Sequence, residues 1–478
     1  MKKFLLVLCL LFFTVKLFAQ QFSQYNTGSL YDSFENPSQK AFIPDSSKKY
    51  ASNFLIPNFN FNAFLSGDGQ ATLKNRAFLY KYNDSALRIN QGRYNLANMN
   101  ANVYLVMLKV FASLNGDEEM GFSWQTKAEG QALFSDETLA AFNGTQSFVG
   151  GSTYNHIFND NYYYQTYHQF SFTYREKFNS QFAFGVKISA LLGILYQKLD
   201  ITNSRAVYNN AMDTVGVGLK GRYYDSYVPG NFINRDYLPT FRNPGASISI
   251  GTTYRTEDSF ILQGNIKDLG FIHWSSRSNV YNFNNSAVIQ GLSTSQREDS
   301  IYNKVYKIIH NNGTMGSFTT PIDGRAELSI NKSLWLDDDG MFKYSPTAIA
   351  SKDLFDAGFV GAIVNPFQYD KYILTLTTTY DDLKIFNLGA QFMVQTPNWE
   401  FYFGSDKLAQ STSLLSQALN KNSPGINQNS LYTGADFFIG FSLKFGPVIE
   451  HPMNANVIPN GEKGFLGRLW GRLFKTND

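Results

Sequence analysis

Chemistry needs particular side chains at particular spacings, and this chain offers few. Its five histidines are His156, His168, His273, His310 and His451. No two stand at the i, i+4 spacing that sets a metal-binding pair on one helical face. The single cysteine, Cys9, cannot join them. His168 and Ser171 are three residues apart in a strand-like stretch, so they point to opposite faces and make no base–nucleophile pair. Neither a nucleophile elbow nor a phosphate-binding loop occurs. Asp337-Asp338-Asp339-Gly340 gathers carboxylates suited to a hard cation. No bidentate Glu follows at EF-hand spacing, and Asp-Gly serves equally as a hairpin turn. The sequence predicts no enzyme, no cofactor and no metal site.

What the chain does have is a pattern that positions side chains on two faces. Aromatic residues reach 16%, with 43 Phe and 29 Tyr, yet the mean hydropathy is -0.25. A helical membrane protein would be far more apolar, and past residue 15 there is no apolar run of about 18 residues. A barrel reconciles the two facts, because only alternate residues face lipid while aromatics gather at both interfaces. A secreted β-sandwich is the competing reading.

The start reads as a targeting segment. Lys2 and Lys3 precede an apolar core from Phe4 to Val15, with an expected cut after Ala19. Cys9 lies inside that core between Leu8 and Leu10, where a lipobox does not occur. A signal peptide over residues 1–19 implies export, and the exported chain then holds no cysteine to form a disulfide. Loss of Lys2, Lys3 and Lys16 with it brings the formal charge of +3 to 0. No bulk attraction to nucleic acid follows from that balance.

Residues 20–50 are polar and show neither helical nor strand periodicity. From residue 51 alternation begins, with Asn58, Asn60 and Asn62 set between Phe59, Phe61 and Ala63. Similar strands are expected at 98–112, 120–128, 162–175, 181–197, 245–254, 260–267 and 271–283. Others follow at 322–335, 357–364, 372–380, 383–394 and 399–404. Asp268-Leu269-Gly270 joins two strands or bulges a single one. Gly216, Gly218 and Gly221 mark a further strand in a tyrosine-rich stretch. Ser135 can cap a short helix that Gly144 stops, and 298–310 has helical spacing. The last strand ends in Gly434 to Phe445, with Phe437, Ile439, Phe441, Leu443 and Phe445 on one face. The expected fold is all-β, a transmembrane antiparallel barrel of about 14 strands over residues 51–446 with short loop helices.

Residues 447–478 form an expected periplasmic tail. Phe465, Leu466, Leu469, Trp470, Leu473 and Phe474 share one helical face, with Arg468, Arg472 and Lys475 on the other. That arrangement suits a helix lying in a lipid interface.

Several of these stretches resemble known outer-membrane barrels. Gly440, Leu443 and Phe445 are similar to the C-terminal assembly signal of such barrels, which implies recognition by the barrel-assembly machinery. Asn36-Pro37 resembles the segment that opens FadL-like barrels, where the N-terminus folds into the lumen as a hatch. With Asp268 to Trp274, Ser317 to Pro321 and Phe401 to Asp406, they make the chain look like a Bacteroidota-type outer-membrane barrel family, distantly FadL-like. The resemblance implies the outer membrane of a Gram-negative bacterium, contact with its lipid, and passage of small hydrophobic molecules. The alternative is a non-transporting scaffold with a periplasmic, secretion or surface-attachment partner.

Overall fold

The computed structural model describes residues 22–450, apart from 84, 113–116, 228–233, 356–357, 382–383, 423 and 428–429. The expected leader and the tail residues Phe465 to Phe474 lie outside the described residues.

Alternating side chains produce one closed wall of 14 antiparallel strands. Strand β1 has two parts, Lys48–Ser52 and Asn58–Ser66. It is followed by β2 (Tyr94–Phe111), β3 (Glu118–Ser135), β4 (Asn161–Lys177) and β5 (Phe182–Asn209). Next come β6 (Pro244–Arg255), β7 (Phe260–Trp274), β8 (Phe318–Pro321 with Arg325–Lys332) and β9 (Thr347–Asp353). The wall is completed by β10 (Phe359–Tyr369), β11 (Tyr372–Asp381), β12 (Phe386–Gln395), β13 (Trp399–Ser405) and β14 (Tyr432–Val448). Strand β14 returns to β1, with Phe59 opposite Ile439 and Ser66 opposite Tyr432. Closure gives the strands of the wall neighbours on both sides, which hydrocarbon requires, except beside the upper ends of β12 and β14.

Outward residues are apolar and exposed: Phe122, Phe172, Ile188, Ile363, Leu374 and Leu388 are examples. Inward residues are polar and buried, as at Asn58, Asn60, Asn62, Ser442 and Lys444. No helix among the described residues is long and apolar enough to cross a membrane. Short turns such as 256–259 and 370–371 mark the end that is periplasmic in barrels of this kind.

The opposite end carries long connections and most of the helices. Helix α1 (Leu30–Glu35) lies inside the barrel, and α2 (Gln70–Leu79), α3 (Asp136–Asn143), α4 (Arg297–Ile309) and α5 (Leu408–Leu419) lie in connections. Ser135 caps α3 by accepting from the Thr138 N–H, and Gly144 ends it.

The upper half of β5 leaves the barrel and pairs with a strand at Thr214–Asp225, which pairs with one at Asn279–Gln290. Short strands at Thr153–Asn155 and Gly313–Met315 flank this extracellular sheet. One face packs Tyr208, Val217, Tyr223 and Phe283 against Phe148 and against Ile308 and Ile309 of α4.

Three details differ from the sequence reading. The first strand is broken at 53–57, where Phe54 and Leu55 adopt positive φ. The 260–283 stretch is one strand to Trp274, bulged between Ile266 and Leu269, and a second strand begins at Asn279. Strand β9 and helices α1, α2 and α5 had no counterpart in the reading.

Helix α5 has a definite place. Strand β13 ends at Ser405, so among the described residues no strand lies between 386–389 of β12 and 432–437 of β14. At about 3.3 Å per residue the opening is roughly 13–20 Å tall. Ser411 of α5 substitutes for the missing ladder: its Oγ accepts from Asp436 N at 2.9 Å and donates to Asp436 O at 3.1 Å. The Tyr432 hydroxyl also reaches across to Asn387 Oδ1.

Candidate functional site

The site is the lumen, built from the inward row of each strand and from residues 22–47 threaded through it. This segment begins high in the barrel. Phe22 N donates to Asp406 Oδ2 at 2.8 Å, and Ser23 bonds Asp406 and Thr377. Tyr25 accepts from Asn265 at 2.8 Å, and Leu30 N donates to Glu400 at 3.0 Å. Lower down, Ala41 N donates to Glu119 at 3.0 Å, and Asp45 N donates to Ile449 O at 2.7 Å. The segment then turns into β1.

Asn36 and Pro37 sit at its centre. Ser38 N and Oγ both donate to Asn36 Oδ1, an ordinary Asx turn. Arg175 Nε donates to Ser38 O at 2.8 Å. The turn rests on the wall where Gly185 of β5 faces Gly251 of β6. A Cβ on Gly185 would lie 1.9 Å from Pro37 O, and one on Gly251 would lie 3.0 Å from Ser38 N. The two glycines make a notch that only a bare backbone leaves open.

Apolar contact adds to these hydrogen bonds. Leu30, Tyr31, Phe34 and Phe42 pack with Tyr104, Met107, Tyr402 and Phe438 of the wall. Tyr104 OH donates to Glu35 at 2.6 Å from within that cluster.

Between the segment and the wall lies a cavity of about 70 Å³, lined on one side by Gln24, Tyr25, Tyr31, Asp32 and Glu35. It could hold a handful of waters, since each needs about 10–15 Å³ on this measure. The wall side is charged. Asp268 binds Lys127 at 2.6 Å and Lys187 at 3.2 Å, and Lys267 reaches Glu327 at 2.8 Å. Glu129 accepts from Tyr167 at 2.6 Å and Gln165 at 2.9 Å. Buried charges persist only when compensated: Asp268 is both ion-paired and hydrogen-bonded, Glu327 is held by Lys267, and Glu129 by its two hydrogen bonds. The bulge at Asp268, φ 48°, turns Lys267 and Asp268 into the same lumen.

The sequence reading singled out Asn36 and Pro37 and did not single out the charged set. The signal was present: Lys187 stands between Val186 and Ile188, and Lys267 follows Ile266. A lone charge between lipid-facing apolar residues in a barrel strand points inward.

Other expected residues lie apart from the cavity. Gly440 faces the lumen beneath the Tyr402 ring, where a Cβ would come within 2.2 Å of it. Leu443 and Phe445 take the opposite face of β14, and Phe445 stacks on Tyr50 at 5.5 Å. Asp337 is occupied by a turn, accepting from Met341 N at 3.0 Å and Phe342 N at 2.9 Å.

A closed wall, an apolar exterior and a plugged polar lumen define an outer-membrane β-barrel. Solved structures similar to the chain include a Pseudomonas aeruginosa FadL homologue, at 12% identity and TM-score 0.42 over 89% of this chain and 95% of that one. The Pseudomonas putida toluene transporter TodX is similar at 9% identity and TM-score 0.40, covering 87% and 94%. The Ralstonia pickettii toluene transporter TbuX gives 9% and 0.39, covering 87% and 94%. At these identities the likeness concerns fold alone. Comparison with curated proteins finds no match. The DUF5723 family, described as of unknown function, matches residues 41–406, and the chain belongs to it.

Proposed function

We propose that the protein is a gated conduit of the outer membrane, with residues 22–47 as the hatch. The observation that carries this is the cavity between hatch and wall, polar on both sides and closed by hydrogen bonds and ion pairs rather than by covalent structure. Hydrophobic cargo is what the FadL resemblance implies. The lining supports a narrower form of it, a small amphiphile. Its polar end would meet Lys127, Asp268 and Lys267, and its apolar end the Tyr31–Tyr104–Tyr402 cluster. Purely hydrocarbon cargo would strip water from those charges without replacing its hydrogen bonds.

A scaffold role is the second reading. It is favoured by the extracellular sheet, which has its own apolar core under α4.

Proteoliposomes test the choice. Deletion of Gln21 to Ser47 should raise uptake of a short-chain amphiphile while the barrel still shows heat-modifiable migration. Unchanged uptake of amphiphilic, polar and hydrocarbon solutes by a folded deletion variant would remove the conduit reading and leave the scaffold.

A further inference from the structure

Among the described residues, no helix covers the second face of the extracellular sheet. Its orientation follows from register. Residues directly opposite in an antiparallel pair share a face. Gln165 and Tyr163 pair with Tyr196 and Lys198, and Gln165 is luminal through its bond to Glu129. A bulge between Gly193 and Leu195 sets Tyr196 and Lys198 on that luminal side. The uncovered face is therefore the barrel's inner surface carried upward past the rim, a wall standing over the mouth. Tyr224 marks the join, 5.1 Å from Phe318 and bonded to Arg222 at 3.1 Å.

Its cross-strand rows are regular. Asp200, Arg222 and Asn282 form one row, and Asn203, Lys220 and Asn284 the next. Above them Arg205 sits between Asn155 and Gly218, with Ser286 beyond. A second bulge, between Ile201 and Asn203, keeps Arg205 on the same side as Asp200. Lys198, Arg205, Lys220 and Arg222 are all exposed, and the described residues of this face include a single carboxylate, Asp200. The centre is flat, because Gly216 and Gly218 project nothing.

We infer that this face holds an acidic saccharide chain, bearing carboxylate or phosphate groups, at the extracellular mouth. Charge complementarity selects a polyanion, since guanidinium forks match carboxylate and phosphate in pairs of hydrogen bonds. The asparagines supply both donors and acceptors, which hydroxyl groups require. A protein partner is disfavoured by the lack of a desolvated aromatic centre: the exposed apolar residues here are Val207 and Val288. The cavity below, about 70 Å³ and lined by Asp32, Glu35, Glu129, Asp268, Asp323 and Glu327 against Lys127, Lys267 and Arg325, would not draw such a chain onward, so the face captures rather than conducts.

The test uses the full-length barrel in detergent, with immobilised polygalacturonate, neutral dextran of matched length and a single-stranded oligonucleotide. Polygalacturonate should bind at low salt and weaken steeply as salt rises, dextran should not bind, and the oligonucleotide should bind at least tenfold more weakly. Arg205→Glu, Lys220→Glu and Arg222→Glu combined should lower polygalacturonate binding tenfold or more while heat-modifiable migration is kept. Equal binding of dextran, equal binding of the oligonucleotide, or full binding by the folded charge-reversed variant would each overturn the assignment. Should the triple variant fail to fold, the milder Arg205→Gln with Lys220→Gln applies the same criterion. The effect of hatch deletion on solute uptake has no bearing on these outcomes, so the two readings fail separately.

Discussion

Gly185 and Gly251 face each other across β5 and β6, and the space left by their missing side chains receives the backbone of Pro37 and Ser38. The hatch is thus seated by shape as well as by charge. Gly185→Val should drive it out of the notch, because overpacking of this kind costs about 1–3 kcal/mol and the hatch is the softer partner. Solute uptake in proteoliposomes should rise with the barrel still folded. Unaltered uptake would show that the hatch absorbs the added methyls in place.

Glu400 joins the hatch to the closing seam. It accepts from Leu30 N at 3.0 Å and Ser442 Oγ at 2.9 Å, and pairs with Lys444 at 2.6 Å. Glu400→Gln leaves Lys444 buried without its partner, which should cost about 3–5 kcal/mol. The double variant Glu400→Gln, Lys444→Met should recover much of that loss. Denaturant titration of the refolded barrel measures both. A double variant no better than the single would show that the pair is not the source of the loss.

The two faces of β14 should differ in tolerance. Ile439→Arg puts a charge on the lipid side, at about 2–4 kcal/mol near the midplane. Ser442→Arg puts the same charge beside the Glu400 carboxylate in the lumen. Heat-modifiable migration should be lost first in Ile439→Arg. Equal tolerance would count against the assigned faces.

The extracellular helices should tighten in acid. Asp160 accepts from Ser135 N at 2.9 Å and from Thr138, and burial pushes its carboxyl up from 3.8 to about 7, only partly offset by those bonds. Burial also raises Asp136 and Glu137. A raised carboxyl makes the folded loop bind more protons than the unfolded one between pH 3.8 and about 7. Its contribution is most favourable at low pH and is lost as pH rises through that window. Amide exchange in 136–143 should be slower at pH 5 than at pH 8, after correction for intrinsic rates. Asp160→Asn should flatten the difference, and an unchanged difference would point to another group.

Most of the wall was legible because β structure repeats every two residues. The Asn58–Asn60–Asn62 row and the Phe437–Phe445 row each state which side is wet. Strand β9, TAIASKD, was not legible, since its outward residues include Lys352 and small alanines that carry no apolar signal. Helix α5 escaped for a different reason. Its leucines Leu408, Leu415 and Leu419 face away from the wall, and the contact with β14 is made by Ser411. Single inward charges of the lumen are legible strand by strand, but their pairing is not: Lys127 and Asp268 are 141 residues apart.

The bond from Phe22 to Asp406 spans 384 positions, nearly the length of the described chain. The upper end of the segment must wait for almost the last strand before this hydrogen bond can form, whereas Glu35, Ser38 and Ala41 have partners on β2, β4 and β3. Contacts of such separation carry the largest loop-closure entropy and belong to slow steps. The lower half of the plug rests on β2 to β5, but its upper end has no partner until β13 is in place. Completing the plug and closing the seam of β14 on β1 are therefore both late events in sequence terms, and they share the same slow, long-range step.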